Sequence, residues 1–453
     1  MTIDDYLKTQ RVKHLDDLQP FLKIASVSAD PKFKQQVLDC ADYLKGYCEK
    51  MGFDEVSVLN TEGFPVVFAR LGEDTAKPTV LFYGHYDVQP ADPLDLWHSS
   101  PFDPTIRDGY IYARGVADDK GQVFCHLLAI QALIEQKIEL PVNIKILIEG
   151  EEEIGSPHLA DLLEREQERL SADYIVISDT PMFSKEQPSL CTSLRGLVHS
   201  EIKIAALSGD LHSGQHGGAV HNPIDVLAHL LTQLKDKKGR IQIPGFYEDV
   251  LAISEAQKEA LSSLDFCQDT YYQSLGAGKG FGEEGYNCLE RRWYRPTLDC
   301  NGIWGGYTGE GSKTVLPAEA SMKLSLRLVA NQDPQRIKEA LDRFVIACCP
   351  PHVSLSIQTE ADGHAYHCNL DSKAMSAASV AIEKSFGKRP LLTGEGGSIP
   401  IVPMMATLLQ ADVVLMGFNL PDDAIHAPNE RFLLDHFYKG INAAVVFYKD
   451  FGQ

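Results

Sequence analysis

The sequence of 453 residues has no apolar run long enough to cross a membrane. Its longest apolar stretch, residues 399–418, is broken by Pro403, Gln410 and Asp412, whereas a membrane span needs about 20 mostly apolar residues. Such a stretch is typical of a buried helix followed by a buried strand. The N-terminal residues, MTIDDYLKTQRVKH, also lack the apolar segment of a signal peptide, so we expect a cytoplasmic protein without a membrane partner.

Closely spaced cysteines and an excess of basic residues are also missing. The ten cysteines are scattered and none forms a C-x-x-C motif, which predicts ordinary buried thiols in a reducing compartment. Lys and Arg number 42 against 63 Asp and Glu, so the formal net charge is −21. A surface this acidic repels phosphate groups, which argues against binding to nucleic acid or to anionic membranes.

The overall composition is that of a globular protein, because 44% of the residues are hydrophobic and 23% are charged. No internal repeat or low-complexity tract is present. A single core rarely grows beyond roughly 250–300 residues, so a chain of this length predicts two domains, or one domain with a large insertion.

Short runs of β-branched and apolar residues predict strands that are buried on both faces. They span residues 79–83, 142–148, 174–177 and 413–416. The apolar spacing of residues 119–136 predicts a helix between the first two strands, and a C-terminal helix is expected over 433–449. This order indicates an α/β fold with a mostly parallel sheet that is sandwiched by helices.

The middle of the chain follows a different pattern, in which apolar and polar residues alternate. The predicted elements are strands over 198–207, 323–329 and 353–358 and helices over 223–234 and 334–347. This order indicates a small α+β sheet of the ferredoxin-like kind with helices on one face. Residues 236–300 are expected to be a long, turn-rich connection. We therefore predict an α/β domain, formed by residues 1–195 and 371–453, that is interrupted by an inserted domain of residues 196–370.

Acidic side chains and histidines follow the ends of the predicted buried strands. The positions are His85 and Asp87, then Glu151, Glu152 and Glu153, then Asp179, then His426, with Asp118 and Asp119 at the start of the first helix. Ligands of open α/β sheets bind beyond the carboxyl ends of the strands, so we expect these side chains to meet at one edge. Histidines and carboxylates together suit zinc, manganese or cobalt, and a surplus of carboxylates allows one to bridge two ions.

Two local patterns predict supporting roles around such a site. In His85-Tyr86-Asp87, the carboxylate can accept from the imidazole N–H that faces away from a metal, which would fix the tautomer. The adjacent Glu152 and Glu153 can divide the work, because one can coordinate while the other takes a proton from water.

Several motifs, in the same order along the chain, resemble the signatures of one enzyme family. They are GHYDVQP (84–90), RGVADDKG (114–121), EGEEEIGS (149–156), SLRG (193–196), DLHSG (210–214), KTVLP (313–317), SLRLV (325–329), GEGGSIP (394–400) and IHAPNE (425–430). The sequence is similar to the co-catalytic two-zinc metallopeptidases, which include carnosine-type dipeptidases, bacterial glutamate carboxypeptidase, aminoacylase, acetylornithine deacetylase and succinyl-diaminopimelate desuccinylase. The stretch DPLDLW (92–97) most resembles the dipeptidase branch. The resemblance covers essentially the whole chain and implies a zinc-exopeptidase fold with an inserted lid and dimerisation domain.

The resemblance implies a centre of two divalent metal ions per subunit, by default zinc, with manganese or cobalt as alternatives. His85 and Asp179 would bind one ion, and Glu153 and His426 the other. Asp118 would bridge the two ions, and its peptide bond to Asp119 would be cis.

The resemblance also implies the residues that carry out catalysis. Asp87 would orient His85, and Glu152 would be the general base for a water that bridges the ions. His212 would act in the active site of a neighbouring subunit, where it would polarise the scissile carbonyl in a homodimer. Arg327 would bind the terminal carboxylate of a substrate, because a guanidinium suits a bidentate contact. Thr314 and Ser398 are further candidates for that carboxylate.

The predicted function is therefore hydrolysis of dipeptides or short peptides that have a free C-terminal carboxylate. An N-acyl amino acid deacylase, of the desuccinylase or acetylornithine deacetylase type, would use the same metals and base, and the sequence leaves this alternative open. A member without catalysis, which would only bind peptides or metal, would need a broken set of metal-centre residues. All seven expected residues are present.

Overall fold

The computed structural model describes residues 2–262 and 264–452, in which strands and helices alternate along most of the chain. The strands are β1 (Glu55–Leu59), β2 (Val66–Leu71), β3 (Thr79–His85), β4 (Thr105–Arg107), β5 (Tyr110–Tyr112), β6 (Asn143–Glu149), β7 (Tyr174–Ile177), β8 (Ser189–Leu194), β9 (Gly196–Ala205), β10 (Leu211–His212), β11 (Thr297–Gly305), β12 (Val315–Leu316), β13 (Glu319–Leu328), β14 (Ser354–Gly363), β15 (Tyr366–His367), β16 (Leu391–Gly394), β17 (Asp412–Leu415) and β18 (Arg431–Leu433). The α-helices are α1 (Ile3–Lys23), α2 (Lys34–Met51), α3 (Lys120–Glu135), α4 (Leu159–Arg165), α5 (Gln167–Leu170), α6 (Ser213–His216), α7 (Pro223–Leu234), α8 (Glu255–Ser262), α9 (Gln268–Ser274), α10 (Cys288–Trp293), α11 (Pro334–Cys348), α12 (Lys373–Phe386), α13 (Ile401–Leu409) and α14 (Leu434–Lys449).

The chain divides into two compact units. The first contains the residues up to Thr192, Cys368–Thr393 and the residues from Ile401 onward. The second contains Ser193–His367 and Gly394–Pro400. The second unit begins and ends three residues earlier than the predicted insertion. It also takes up the loop 394–400, which the sequence analysis assigned to the other domain.

The first unit is built on a mixed sheet whose strands follow the order β1-β2-β6-β3-β7-β17-β8. The four central strands, β6, β3, β7 and β17, are parallel, whereas β1, β2 and β8 pair antiparallel to their neighbours. Residues Val80 to Tyr83 of β3 are completely buried, as expected for a strand covered on both faces. The predicted α/β fold is confirmed, but the sheet is mixed rather than mostly parallel, because only its four central strands run parallel.

Helix α3 lies at the centre of the helical layer of this unit. Every residue from Lys120 to Ile130 is buried, because α3 packs on β3 and also against α1, α2 and α14. A helix that is enclosed in this way is apolar on nearly all sides. The two acidic residues that precede α3, Asp118 and Asp119, are thereby held beside His85 at the carboxyl end of β3.

The second unit contains a four-stranded antiparallel sheet in the order β11-β13-β9-β14. Helices α7 and α11 pack on this sheet, and their leucines share one hydrophobic core with Ile202, Leu324 and Leu326. The chain order β9-α7-β11-β13-α11-β14 is the ferredoxin-like arrangement, which confirms the predicted α+β topology.

The predicted turn-rich connection of residues 236–300 is more structured than the sequence suggests. This range contains the short helices α8, α9 and α10 and the beginning of β11. Strand β11 escaped prediction because it is an edge strand in which only one of nine residues is buried, so its sequence lacks a clear apolar alternation. Helices of six to eight residues are likewise too short to show a clear helical period.

The structure also bears on the expectations about membrane-spanning segments and about cysteines. In the part of the chain that the structure describes, no helix is both long and apolar enough to cross a membrane. Among the described residues, none of the ten cysteines forms a disulfide, and six of them are buried.

The close approach of β17 to β7 gives a prediction about stability. A Cβ atom on Gly417, just after β17, would lie 1.5 Å from the main-chain oxygen of Thr180, just after β7. We expect Gly417→Ala to destabilise the protein by about 1–3 kcal/mol or more, because the main chain must move to relieve the clash. Thermal unfolding measured by calorimetry should show a lower Tm.

Gly46→Ala is the matched control for this substitution. Gly46 lies within α2, and a Cβ atom there would have no neighbour within 4 Å. Alanine favours the helix by about 0.5–1 kcal/mol relative to glycine, so this variant should be slightly more stable. A Gly417→Ala protein that unfolds at the wild-type temperature would contradict the predicted clash.

Candidate metal centre

The carboxyl ends of the parallel strands bring the predicted ligands to one edge of the sheet in the first unit. His85 is the last residue of β3, and Asp179 follows β7 after one residue. Glu152 and Glu153 form a single 3-10 turn just after β6. His426 lies in the loop after β17, where it adopts a left-handed conformation with φ 59°. Asp118 precedes α3, and its peptide bond to Asp119 is cis, as the family resemblance implied.

These side chains form two groups that could each hold a metal ion. The first is His85, Asp118 and Asp179, and the second is Asp118, Glu153 and His426. Within each group, one ligand atom per residue lies within 4.8 Å of the others. Asp118 belongs to both groups.

The two oxygens of Asp118 face different histidines. Its Oδ1 lies 3.0 Å from His85 Nε2, and its Oδ2 lies 2.9 Å from His426 Nε2. His426 Nε2 is also 3.1 Å from Glu153 Oε2. A carboxylate that presents one oxygen to each of two ligand sets has the arrangement of a bridging ligand.

Asp87 supports this centre in two ways. His85 Nδ1 lies 3.4 Å from Asp87 Oδ1 and 3.1 Å from the main-chain oxygen of Asp87, so both acceptors can hold the ring. The Asp87 carboxylate also accepts from the main-chain N–H groups of Glu152 and Glu153 and from the Ser28 hydroxyl. Asp87 therefore fixes the glutamate turn as well as the histidine.

Glu152 and Glu153 have different surroundings. Glu153 contacts His426 and accepts from Gln89 Nε2 at 2.8 Å. Glu152 is outside both candidate ligand groups. Burial raises the pKa of Glu152 to about 8, although the positive charge of His85 opposes this change. A carboxylate with a raised pKa that is not needed as a ligand is suited to accept a proton.

The electrostatics of the site favour cations. Burial alone would keep His85 neutral, but hydrogen bonds to Asp118 and Asp87 hold its pKa well above the usual value. Hydrogen bonds to Asp118 and Glu153 raise the pKa of His426 to about 10. Burial raises the pKa of Asp179 well above its usual value, and repulsion from Asp118 adds to this effect.

The donor set fits divalent metal ions. Three carboxylates, from Asp118, Glu153 and Asp179, converge here, and among the described residues no lysine or arginine forms an ion pair with them. Buried carboxylates of this number require positive charge, which the two imidazoles supply only when protonated. Imidazole nitrogens and carboxylate oxygens are ligands for zinc, manganese and cobalt.

The second unit contains the other predicted site residues, in two pairs. His212 ends β10 and Thr314 precedes β12, its partner strand. His212 Nε2 lies 3.4 Å from Thr314 Oγ1, and its Nδ1 accepts from the main-chain N–H of Gly214. Since Nδ1 is an acceptor, the neutral ring carries its proton on Nε2, which is exposed and able to donate.

Arg327 and Ser398 form the other pair. Arg327 lies near the end of β13, and its Nη1 donates to Ser398 Oγ at 2.8 Å. The guanidinium is half-buried, and burial lowers its pKa. Within the described residues, no carboxylate lies at ion-pair distance from Arg327.

Sequence reasoning predicted the supporting contact of Asp87 but missed other residues that support the candidate ligands. Ser28 and Gln89 have no signature of their own, because a serine or glutamine in a loop is common in any protein. Their roles depend on contacts between distant parts of the chain. Only the position of Gln89 within GHYDVQP, close after His85, could have suggested it.

Comparison with known proteins gives consistent matches over nearly the whole chain. The chain is 32% identical to the Cys-Gly metallodipeptidase dug1 of Schizosaccharomyces pombe, over 93% of this chain and 91% of that protein. It is 30% identical to the human Beta-Ala-His dipeptidase, over 99% of this chain and 92% of that protein. The crystal structure of the M20 family metallo-carboxypeptidase Sso-CP2 from Sulfolobus solfataricus superposes with a TM-score of 0.86 at 34% identity, over 96% of this chain and 98% of that one.

The family model for peptidase family M20/M25/M40 matches residues 81–450, which include every residue of the candidate metal centre. The expected resemblance to metallopeptidases is thereby confirmed, and with it the divalent-metal requirement of such enzymes. The chain belongs to peptidase family M20/M25/M40.

Proposed function

We propose that this chain is a dipeptidase with two divalent metal ions per subunit. His85 and Asp179 would hold one ion, Glu153 and His426 the other, and Asp118 would bridge them. The observation that carries the proposal is the division of the Asp118 oxygens between His85 and His426, at 3.0 and 2.9 Å. The mixed oxygen and nitrogen donors suit zinc, manganese or cobalt, and the family resemblance makes zinc the first choice.

The roles of the protein side chains follow from this arrangement. When bound, divalent ions supply Lewis-acid polarisation of a carbonyl and lower the pKa of water. Glu152 would take a proton from the attacking water and pass it to the amine nitrogen of the leaving residue. Asp87 would keep the glutamate turn and His85 in the geometry that this transfer needs.

Two lines of support favour dipeptides as substrates. The names of the relatives from Schizosaccharomyces pombe and human refer to the dipeptides Cys-Gly and Beta-Ala-His. Arg327, which has no ion-pair partner among the described residues, suits the free α-carboxylate of such a peptide. Ser398 would orient the guanidinium, and Thr314 is a further candidate for the same carboxylate.

We infer that His212 donates from Nε2 to the scissile carbonyl of a substrate that is bound in the active site of a neighbouring subunit. The hydrogen bond from Gly214 to Nδ1 fixes the tautomer that such a donor requires. An exposed histidine with a defined tautomer is available to another chain. The exposed edge strand β11, with Ile303 and Trp304 about half exposed, supports a homodimer in which the second unit is both lid and contact surface.

We also infer a cytoplasmic location for the enzyme. Cysteines without disulfides are usual in a reducing compartment, and none of the ten cysteines forms a disulfide in the described part of the chain.

The first test separates the base from the ligand, with the same substitution at adjacent residues. Glu152→Gln should keep the bound metal but lose about 10²–10⁴-fold in kcat, because no carboxylate remains to take the proton. Glu153→Gln should lose metal instead, since Glu153 belongs to a ligand group. Metal content measured by mass spectrometry and kcat with a dipeptide substrate give the two readouts.

The reverse pattern, with metal lost from Glu152→Gln and retained in Glu153→Gln, would overturn this assignment. Equal loss of metal from both variants would also contradict a separate role for Glu152.

The second test concerns the class of substrate. A dipeptide with a free carboxylate should be cleaved with a kcat/KM at least roughly 30-fold above that of its C-terminal amide, because the amide leaves the Arg327 charge unpaired at a cost of about 2–5 kcal/mol. In Arg327→Met this preference should disappear. Lys323→Met is the matched control, because Lys323 is an exposed cation on the same strand.

Equal kcat/KM for the acid and the amide in the wild type would remove the proposed role of Arg327. N-acyl amino acids should be poor substrates in the same assay. Faster turnover of N-acetyl or N-succinyl amino acids than of every dipeptide in a mixed library would overturn the dipeptidase proposal.

The third test asks whether His212 acts between subunits. His212→Ala should lose about 3 kcal/mol or more of transition-state stabilisation, and Glu152→Gln should be nearly inactive. When the two variants are refolded together, half of the dimers should be mixed, and one of the two sites in each mixed dimer has both residues intact. Activity should recover to roughly a quarter of the wild-type value.

A mixture that remains inactive, while native mass spectrometry shows mixed dimers, would mean that His212 acts within its own subunit or not at all. His216→Ala is the control, because His216 is an exposed histidine four residues away. This control should retain its activity alone.

A further inference from the structure

A buried ion pair joins Arg114 and Glu430 beside the metal centre. Arg114 Nη1 lies 2.6 Å from Glu430 Oε2, and the two side chains are 1% and 0% exposed. Both residues belong to sequence motifs that also carry ligands, RGVADDKG and IHAPNE, yet neither is in a candidate ligand group. The proposed reaction gives neither of them a role.

Glu430 accepts hydrogen bonds along the segment that carries the bridging carboxylate. Its Oε2 accepts from the main-chain N–H of Gly115 at 2.8 Å. Its Oε1 accepts from the N–H of Ala117 at 2.8 Å and from that of Asp118 itself at 3.2 Å. With Arg114 included, one carboxylate takes four donors, and three of them belong to the main chain that ends at Asp118.

Arg114 extends the same connection to two further segments. Its Nη2 donates to the main-chain oxygen of Pro90 at 3.2 Å and to that of Ala427 at 3.3 Å. Ala427 directly follows the ligand His426, and Pro90 ends the motif that begins around His85. The two residues of the ion pair therefore form hydrogen bonds with three of the segments that carry candidate ligands.

A purely structural role is the alternative, and the contacts argue against it. A buried ion pair is weak support for stability, since an apolar pair of similar size often stabilises a fold as well. An apolar pair could not accept from the main-chain N–H groups that lead up to Asp118. It also could not donate to the main-chain oxygen of Ala427, next to His426. The polar contacts of this pair therefore fix how the three segments lie relative to one another.

We propose that Arg114 and Glu430 are positioning residues for metal binding, because they fix the relative positions of the segments that contain Asp118, His426 and His85. The proposal rests on the ligand assignment of the proposed function. Outer partners of metal ligands typically change metal affinity by about 10–100-fold when they are replaced. We expect Glu430→Gln and Arg114→Met each to weaken zinc binding by a factor in this range.

A second buried ion pair provides the matched control. Arg295 donates to both oxygens of Glu283 at 2.8 and 2.9 Å, with side chains 6% and 8% exposed, and the pair lies in the second unit. Glu283→Gln should lower the Tm as much as Glu430→Gln does, because it also leaves a buried guanidinium without its carboxylate. Its zinc affinity should match the wild type.

Zinc affinity is measured by competition with a chromogenic chelator, on metal-free protein and well below the Tm of each variant. A higher Kd for zinc in Glu430→Gln and Arg114→Met, with an unchanged Kd in Glu283→Gln, supports the proposal. A wild-type Kd in Glu430→Gln, whatever its Tm, overturns it. If Glu430→Gln does not fold, Arg114→Lys decides, because lysine keeps the charge but cannot reach Glu430, Pro90 and Ala427 together; a wild-type Kd then overturns the proposal.

The same measurements separate this inference from the proposed function. A wild-type protein that binds zinc but cleaves no dipeptide would overturn the proposed function and leave the positioning role intact. A wild-type protein that cleaves dipeptides, together with unchanged zinc affinity in the variants, would overturn the positioning role alone.

Discussion

The mutual repulsion of three closely spaced and largely buried carboxylates is the constraint on which the candidate metal centre depends. Asp118, Glu153 and Asp179 converge at the edge of the sheet, where burial makes each negative charge costly. Hydrogen bonds to the carboxylates raise the pKa of the two histidines that face them. A fold can hold such a cluster only if other contacts prevent the carboxylates from moving apart, and metal ions then complete the balance of charge.

Two further carboxylates prevent this movement through the main chain. Asp87 accepts from the N–H groups of Glu152 and Glu153, and Glu430 accepts from the N–H group of Asp118. Each of them fixes the backbone of a ligand and leaves the ligand's side chain free to coordinate. Asp87 is completely buried, as is Glu430, so both anchors are shielded from water. The loops that follow parallel strands thus gain the rigidity that catalytic geometry needs.

The sequence alone could predict which side chains gather at this edge of the sheet, and the contact of Asp87 with His85, but not the rest of the supporting network. Parallel strands end at one edge, so the strand pattern and the positions of His85, Asp179 and His426 were enough to place the site. The roles of Ser28, Gln89 and Glu430 depend on hydrogen bonds across as many as 316 residues, which no local pattern encodes. Edge strand β11 was missed for a similar reason, because its exposed side chains leave no apolar period.

The two units divide the chemistry in a way that their side chains make plain. The first unit concentrates buried carboxylates, whose demand for positive charge is met by imidazoles and metal ions. The second contributes an arginine without an ion-pair partner among the described residues and a histidine whose exposed Nε2 can donate. A half-buried guanidinium without a carboxylate is poorly solvated, so a substrate carboxylate gains more from it than from an exposed, hydrated lysine. Under the proposed function, Arg327 and His212 are therefore the groups of the second unit that would recognise the polar ends of a short peptide.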